Sequence, residues 1–165
     1  MTVSIARLRK FPPDGLAHLV TESEAAGHRF LRRLVEEWES GANRFDRPGE
    51  ALFAAVADGC VIGLCGLNAD PYVPEPRVGR VRHLYVATSQ RRLGTGRQLV
   101  GAVLEAAQEA FDVVRLRTDS AAAARFYTAL GFRESTGDPF CTHALKVVDE
   151  AEPAAAPDGP ADVVP

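Results

Sequence analysis

An apolar run, Val81-Arg-His-Leu-Tyr-Val86, passes through a short Arg/Gly loop and opens at once into a helix-period pattern that continues past Leu99. A strand that hands over to a helix through one short loop commits the chain to layered α/β packing. Gly94 and Gly96 stand where the backbone turns and where a ligand can approach it closely. A helix start exposes unpaired N–H groups and the positive end of the helix dipole. Arg91, Arg92 and Arg97 add charge beside it, so strand, arginines, glycines and helix together read as a phosphate or pyrophosphate seat. It is not a P-loop, because Arg97 rather than Lys follows Gly96. It is not a dinucleotide fingerprint either, because Leu99 holds the third glycine position counted from Gly94.

The segments around this junction alternate in the same way. Val3 to Leu8 has period two and reads as a strand, ended by Pro12, Pro13 and Gly15. Glu24 to Glu39 reads as a helix, with Phe30, Leu31, Leu34, Val35 and Trp38 as its apolar stripe and Ser23 as its N-cap. Trp38 is expected in the core rather than as a ligand platform. Two runs, Glu50 to Val56 and Cys60 to Leu67, flank Asp58-Gly59, a strong hairpin signal. Pro71, Pro74 and Pro76 make residues 68–79 irregular. A strand follows from Arg80 to Val86, then a helix over 94–110 and a strand from Asp112 to Thr118. Ala121 to Leu130 is a helix closed by Gly131, and Phe140 to Val147 a last strand. The expectation is one α/β domain over residues 1–148. The order of these segments implies that its central sheet is mixed.

Composition excludes several function classes. The chain has 165 residues, 19 Lys+Arg against 22 Asp+Glu, and a formal charge of -3. Five of those acids lie past Val148 with no base among them, so the body is slightly basic. The Ala/Pro-rich acidic stretch 149–165 has little to bury and is expected to be a disordered tail. Arg77, Arg80, Arg82, Arg91, Arg92 and Arg97 follow one another with no acid between them. No basic tract interleaved with aromatics occurs elsewhere, which argues against nucleic acid as a partner. No apolar run approaches the roughly 18 residues of a membrane span. Three cysteines, Cys60, Cys65 and Cys141, form neither a disulfide framework nor a metal-ligand spacing. Cys60 and Cys65 are expected as inert core thiols, and the protein as reduced and cytoplasmic.

A second segment carries chemistry. In Ser120-x-x-Ala123-x-x-Phe126-Tyr127-x-x-x-Gly131-Phe132, Ser120 or Asp119 can cap the helix. Phe126 and Leu130 face one way, and Tyr127 lies one position round, at the edge of the core where a cleft would open. A phenol there can donate or relay a proton.

Taken together, Arg91-Arg-Leu-Gly94-Thr-Gly96 after His83-Leu-Tyr-Val86, followed by the Ser120–Phe132 pattern, resembles the Gcn5-related N-acetyltransferase (GNAT) superfamily. The resemblance covers residues 1–148 and implies the acyl-CoA N-acyltransferase fold, an α/β domain with a central mixed, mostly antiparallel twisted sheet of six to seven strands flanked by about four helices. It implies acetyl-CoA as acyl donor, with the pyrophosphate on the loop Arg91, Arg92, Gly94, Thr95, Gly96 and Arg97. It implies that the pantetheine arm lies along the backbone of Leu84, Tyr85 and Val86. Tyr127 matches the tyrosine that protonates the departing thiolate. Ser120 stands where the family usually has Asn; it keeps the capping oxygen and loses an amide that commonly contacts the pantetheine or the acceptor.

The implied reaction is direct attack of a primary amine on the thioester, with a backbone N–H near Leu84 to Val86 stabilising the oxyanion. No cysteine nucleophile is needed. The base stays open. Arg80, Val81 and Arg82 stand where many relatives keep a Glu. His83 is one candidate, with a structural histidine as its competing reading; Glu50, Asp46 and a water relay are others. His18, His28 and His143 are expected to be structural or on the surface. The acceptor pocket is expected from residues 24–49 and 68–79, where the mix of Arg44, Asp46 and Arg47 would suit a small polar acceptor with both amine and carboxylate. A small-molecule amine is the expected acceptor and a protein amine the alternative, on a monomer or homodimer. A non-catalytic acyl-CoA sensor or scaffold is the competing reading. A polycationic antibiotic fits poorly beside Arg44 and Arg47.

Overall fold

β2 (Ala51–Ala57) and β3 (Cys60–Ala69) are buried on both faces, which explains why they read as continuous apolar runs rather than alternating ones. Leu52, Ala54 and Leu64 enter a core on one side of the sheet, and Ala55, Ala57, Cys65 and Leu67 a core on the other. The computed structural model describes residues 2–11 and 15–148. The expectation of a tail over 149–165 lies outside the described residues.

The remaining strands are β1 (Val3–Arg7), β4 (Val78–Val86), β5 (Val113–Leu116), β6 (Arg133–Glu134) and β7 (His143–Lys146). The helices are α1 (Ala17–Ala25), α2 (Phe30–Ser40), α3 (Thr95–Ala107) and α4 (Ala121–Ala129), with a 3-10 turn at Thr88–Gln90. The sheet order is β1-β2-β3-β4-β5-β7-β6. Every pairing is antiparallel except β4 with β5. This is the mixed, mostly antiparallel α/β sheet that the family resemblance implies, with seven strands among the described residues. Leu16, Leu19, Leu31 and Leu34 from the α1–α2 side pack on one face, and Leu99, Val100 and Val103 of α3 on the other.

Several boundaries differ from the sequence reading. The helix expected over 24–39 is two helices. Ser23 is not an N-cap: it is buried inside α1, where its hydroxyl donates to the Val20 carbonyl at 2.9 Å. Gly27, at φ +88°, ends α1 before α2 begins. Leu16, Leu19 and Val20 carry the α1 signal, too short a stripe to stand out beside Pro12 and Pro13. β4 begins inside the segment expected to be irregular. The last strand is shorter than expected, and the two-residue β6 has no sequence signal. Cys60 is exposed at the hairpin, not a core thiol, whereas Cys65 and Cys141 are buried.

α4 ends as Gly131 predicts. Phe132 N–H donates to the Tyr127 carbonyl at 3.1 Å and Gly131 N–H to that of Thr128 at 3.0 Å. With Gly131 at φ +99°, this is a Schellman closure. Its usual apolar contact is Phe132 against Tyr127, edge to face at 5.4 Å. The same turn that stops the helix thus fixes the Tyr127 ring.

Asp70 ties the sheet together at its only parallel pair. Arg80 and Arg115 are direct neighbours across β4 and β5, and like charges in that position repel. The fully buried Asp70 carboxylate lies 3.4 Å from each guanidinium. Arg80 also donates to the Phe140 carbonyl at 2.7 Å, and Arg115 to Asp138 at 2.6 Å. Asp70→Asn leaves two poorly solvated cations side by side. The expected loss is roughly 3–5 kcal/mol, read as a lower denaturation midpoint with an unchanged denaturant slope.

Candidate functional site

β5 pairs with β4 only at Val78, Gly79 and Arg80. Beyond Arg80 the two strands diverge, and among the described residues no strand covers that edge of β4 up to Val86. Its backbone N–H and C=O groups face a cleft of about 930 Å³. Val86, Gly96, Ala123, Phe126 and Tyr127 line the α3–α4 side; His28, Phe30, Arg33, Tyr72, Arg82 and His83 line the α1–α2 side.

The divergence has a local cause on the other edge of β4. In the pairing with β3, Tyr85 faces Leu64 and Arg82 faces Gly66. One extra residue therefore bulges from β4 opposite Cys65. His83 takes it up at φ +61°. Its ring packs at 6.3 Å from Phe30 and, edge to face, at 6.1 Å from Phe45. Gly66 admits that neighbour, since a Cβ there would sit 2.5 Å from the Phe45 ring. Both His83 ring nitrogens are buried without a hydrogen-bond partner. Burial pushes the ring's pKa down to about 3, Arg82 and Arg33 push it the same way, and the Phe30 backbone offsets this only slightly. His83 is therefore neutral at any physiological pH.

The Arg/Gly loop lies at the far end of β4. Arg92 and Gly94 both have left-handed backbones, at φ +64° and +86°. Gly94 is the α3 N-cap and no side chain caps that end, which leaves the first N–H groups of α3 to a ligand or solvent. Arg91 bonds the Val86 carbonyl through Nε at 2.9 Å and lies 5.3 Å over the Tyr85 ring. Of the loop residues predicted to bind, Arg91 and Gly96 line the cleft, together with Leu84, Tyr85, Val86, Ser120 and Tyr127. Arg92, Gly94, Thr95 and Arg97 do not line it. Arg92 and Arg97 face solvent, and the Thr95 side chain is buried.

Tyr127 is 7% exposed, and burial together with the nearby Cys65 thiol raises its phenol above the usual range. It keeps its proton at working pH and can act only as a donor. Ser120 caps α4, accepting from Ala123 N–H at 3.2 Å.

The expected acceptor pocket is only partly assembled. From residues 24–49 only His28, Phe30 and Arg33 reach the cleft, and from 68–79 only Tyr72. Glu50 is a structural acid: it is buried and accepts from Asn68 and from Ala69 N–H at 2.9 Å each, and from Arg47 N–H at 3.3 Å. Asp46 lies in a separate pocket of about 410 Å³ with Arg9, Lys10, Phe11, Trp38 and Arg44. Trp38 stacks on Phe11 there at 5.0 Å. His28, expected to be structural or on the surface, lines the cleft.

One supporting residue had no sequence signal. Glu22 of α1 accepts from the Tyr85 hydroxyl, Thr88 Oγ1 and Thr88 N–H, each at 2.7 Å. These bonds, with Arg91 nearby, hold its carboxyl below the usual range. It pins the end of β4 to α1, just before the Arg/Gly loop. Among the described residues no group of His, Cys, Asp and Glu could hold a metal.

Comparison with known proteins places these features in context. The model of the Acetyltransferase (GNAT) family matches residues 15–132. A mycothiol acetyltransferase from Sanguibacter keddieii is 35% identical over 142 residues, covering 79% of this chain and 44% of that protein. The chain thus spans less than half the length of that curated relative. A crystal structure of a candidate acetyltransferase from Exiguobacterium sp. 255-15 superposes with a TM-score of 0.79 at 28% identity, covering 88% of this chain and 94% of that one. The GNAT family N-acetyltransferase YhbS from Escherichia coli, solved with CoA, shares the fold at a TM-score of 0.66 and 19% identity, covering 89% and 82%.

The neutral His83 sets a pH dependence. The unfolded chain binds a proton at this position below about 6.5, and the folded chain only near 3. Stability at this position is therefore lost as pH falls from about 6.5 toward 3. Asn tolerates the left-handed backbone. His83→Asn should flatten the acid limb of a midpoint-against-pH curve, by at most about 1.4 kcal/mol per pH unit for one proton.

Proposed function

The chain belongs to the acetyltransferase (GNAT) family, and on that premise we propose that it transfers an acetyl group from acetyl-CoA to a primary amine. The observation that carries this reading is the uncovered edge of β4, running from a bulge beside His83 to the uncapped start of α3. Extended backbone with free N–H and C=O groups suits an amide-containing arm, and an exposed helix start beside Arg91 suits a pyrophosphate. The residues present fit the donor. Leu84, Tyr85 and Val86 would hold the arm, and Arg91 with the backbone of Gly94 to Arg97 the phosphates. Ser120 and Tyr127 close the cleft from α4. When bound, acetyl-CoA supplies the activated acyl group.

The chain's own contribution is positioning and charge. A backbone N–H on the free edge of β4 meets negative charge developing on the acyl oxygen. The Tyr127 hydroxyl, held protonated by burial, offers its proton to a departing sulfur. On the amine side, His83 is neutral and keeps a lone pair, yet a group with a pKa near 3 takes a proton only weakly. Arg33 and Arg82 take no proton themselves; the proton that the amine nitrogen sheds on acylation leaves through water, which also returns one to Tyr127. Their positive field favours the uncharged form of an amine held beside them, as it favours uncharged His83.

Calorimetric titration of acetyl-CoA, followed by a thiol-release assay over an amine panel, tests the reading. The wild type should bind, and Gly96→Glu should lose most of that affinity. Such a side chain would point a carboxylate at the phosphates from a position already close to Phe126. Tyr127→Phe should keep binding and lower kcat by roughly 10²–10⁴-fold, the usual worth of a general acid. Binding with no turnover on any amine would favour the sensor or scaffold alternative. No binding of any acyl-CoA would remove the proposal.

A further inference from the structure

The two ends of the cleft differ in what they can accept. Arg91 serves the end where β4 meets α3. Arg33 and Arg82 lie at the other end, past the His83 bulge. Val86 is four residues beyond Arg82, roughly 10 Å or more along the strand. Arg33 and Arg82 therefore do not belong to the phosphate seat.

Their charge is not fully spent within the fold. Arg33 is exposed on α2 and makes no ion pair among the described residues. Arg82 is half-buried and forms an ion pair with Glu37 at 3.8 Å, too long for a hydrogen bond, so its charge is only partly met. Its contact with Asn68 Oδ1, at 3.5 Å, is also long. Arg80, by contrast, is neutralised by Asp70. Asp119 is the only carboxylate among the described residues lining the cleft, and it is exposed and paired with Arg117. His83 lies near enough to feel both arginines, with buried ring nitrogens that have no hydrogen-bond partner and a neutral ring with one N–H.

We infer that the acceptor amine also carries a carboxylate, and that Arg33 and Arg82, with His83 near them, hold that carboxylate on the α1–α2 side of the cleft. This rests on the acetyltransferase reading and adds the class of acceptor. A guanidinium matches a carboxylate in plane and charge, and a pair of such contacts orients as well as binds. The arrangement draws in an amino acid or a similar zwitterion by its acid end and so orients its amine toward the acyl group. A polycationic amine meets repulsion at the same place, and a neutral amine gains nothing from the arginines.

The test uses matched acceptors, an α-amino acid and its carboxamide, over small, acidic and aromatic side chains with acetyl-CoA saturating. The expected result is a preference for the acid of roughly 10-fold or more in kcat/KM, the worth of one charge-assisted contact. Arg33→Gln should narrow that ratio mainly by raising KM for the acid, and Arg33→Glu should reverse it. Arg33 is exposed, so neither change threatens the fold; Arg82→Lys, checked by circular dichroism, should narrow the ratio as well. Equal use of acid and amide, a preference for diamines, or an unchanged ratio in the Arg33 variants overturns the inference.

A second arm separates this proposal from the activity itself. Calorimetric titration of N-acetylated amino acids against their amides, with and without CoA, reads anion binding without turnover. Selective binding of the acids, weakened by Arg33→Glu, supports the inference even where no amine turns over. No selectivity there overturns it even where acetyl transfer is confirmed.

Discussion

Asp70 is the constraint on which the rest of the cleft depends. Two parallel strands meet with an arginine opposite an arginine, an arrangement that would drive them apart without a buried anion between them. The carboxylate closes one end of the β4–β5 pair. With that end held, the strands can separate above it and leave a free edge of β4 without loosening the sheet. Arg80 extends the same anchorage to Phe140, and its guanidinium lies 4.9 Å over the Tyr72 ring. Tyr72 in turn stacks on Phe140 at 4.2 Å. The charged clamp thus also sets the aromatic wall at that mouth of the cleft.

The bulge at His83 is the second element. It turns the strand where its free edge faces the cleft, and it does so with a residue other than glycine in a left-handed conformation, which has an energetic cost. Phe30 and Phe45 enclose the ring, so the cost is met by packing rather than by hydrogen bonds. The result is a polar group kept neutral in an apolar cage, close to two arginines. Strain, burial and like charge all fall on one residue, at the point where the cleft passes from one face of the sheet to the other.

Much of this was legible in the residues. The strand–loop–helix junction, the hairpin at Asp58-Gly59 and the Gly131 closure are local patterns, and each appears where it was expected. Ser120 caps its helix and Tyr127 reaches the cleft for the same reason: helical phase fixes their direction relative to Phe126 and Phe132. The acceptor side was much less legible. Arg44, Asp46 and Arg47 looked polar enough for a pocket yet lie away from it, and Glu50 looked available yet is consumed by three N–H donors. His28, Arg33 and Tyr72 carried no pattern at all. Glu22 meets Tyr85 and Thr88 across more than sixty residues of chain, a partnership that no local spacing announces.

The sequence by itself determined most of the elements and their order, though not α1 or β6, together with the family motifs and the end of the molecule at which a phosphate can sit. These follow from periodicity, capping and glycine conformation, all set within a turn or two of chain. Only the tertiary structure decided which charges are neutralised and which remain free. The worth of a charge depends on its burial and on partners brought together from distant segments. Arg80 and Arg82 are two residues apart in one strand and both line the cleft, yet one is held by a fully buried aspartate and the other only loosely by the partly exposed Glu37. That difference arises where the chain folds back on itself, and it gives the two ends of the cleft their different chemistry.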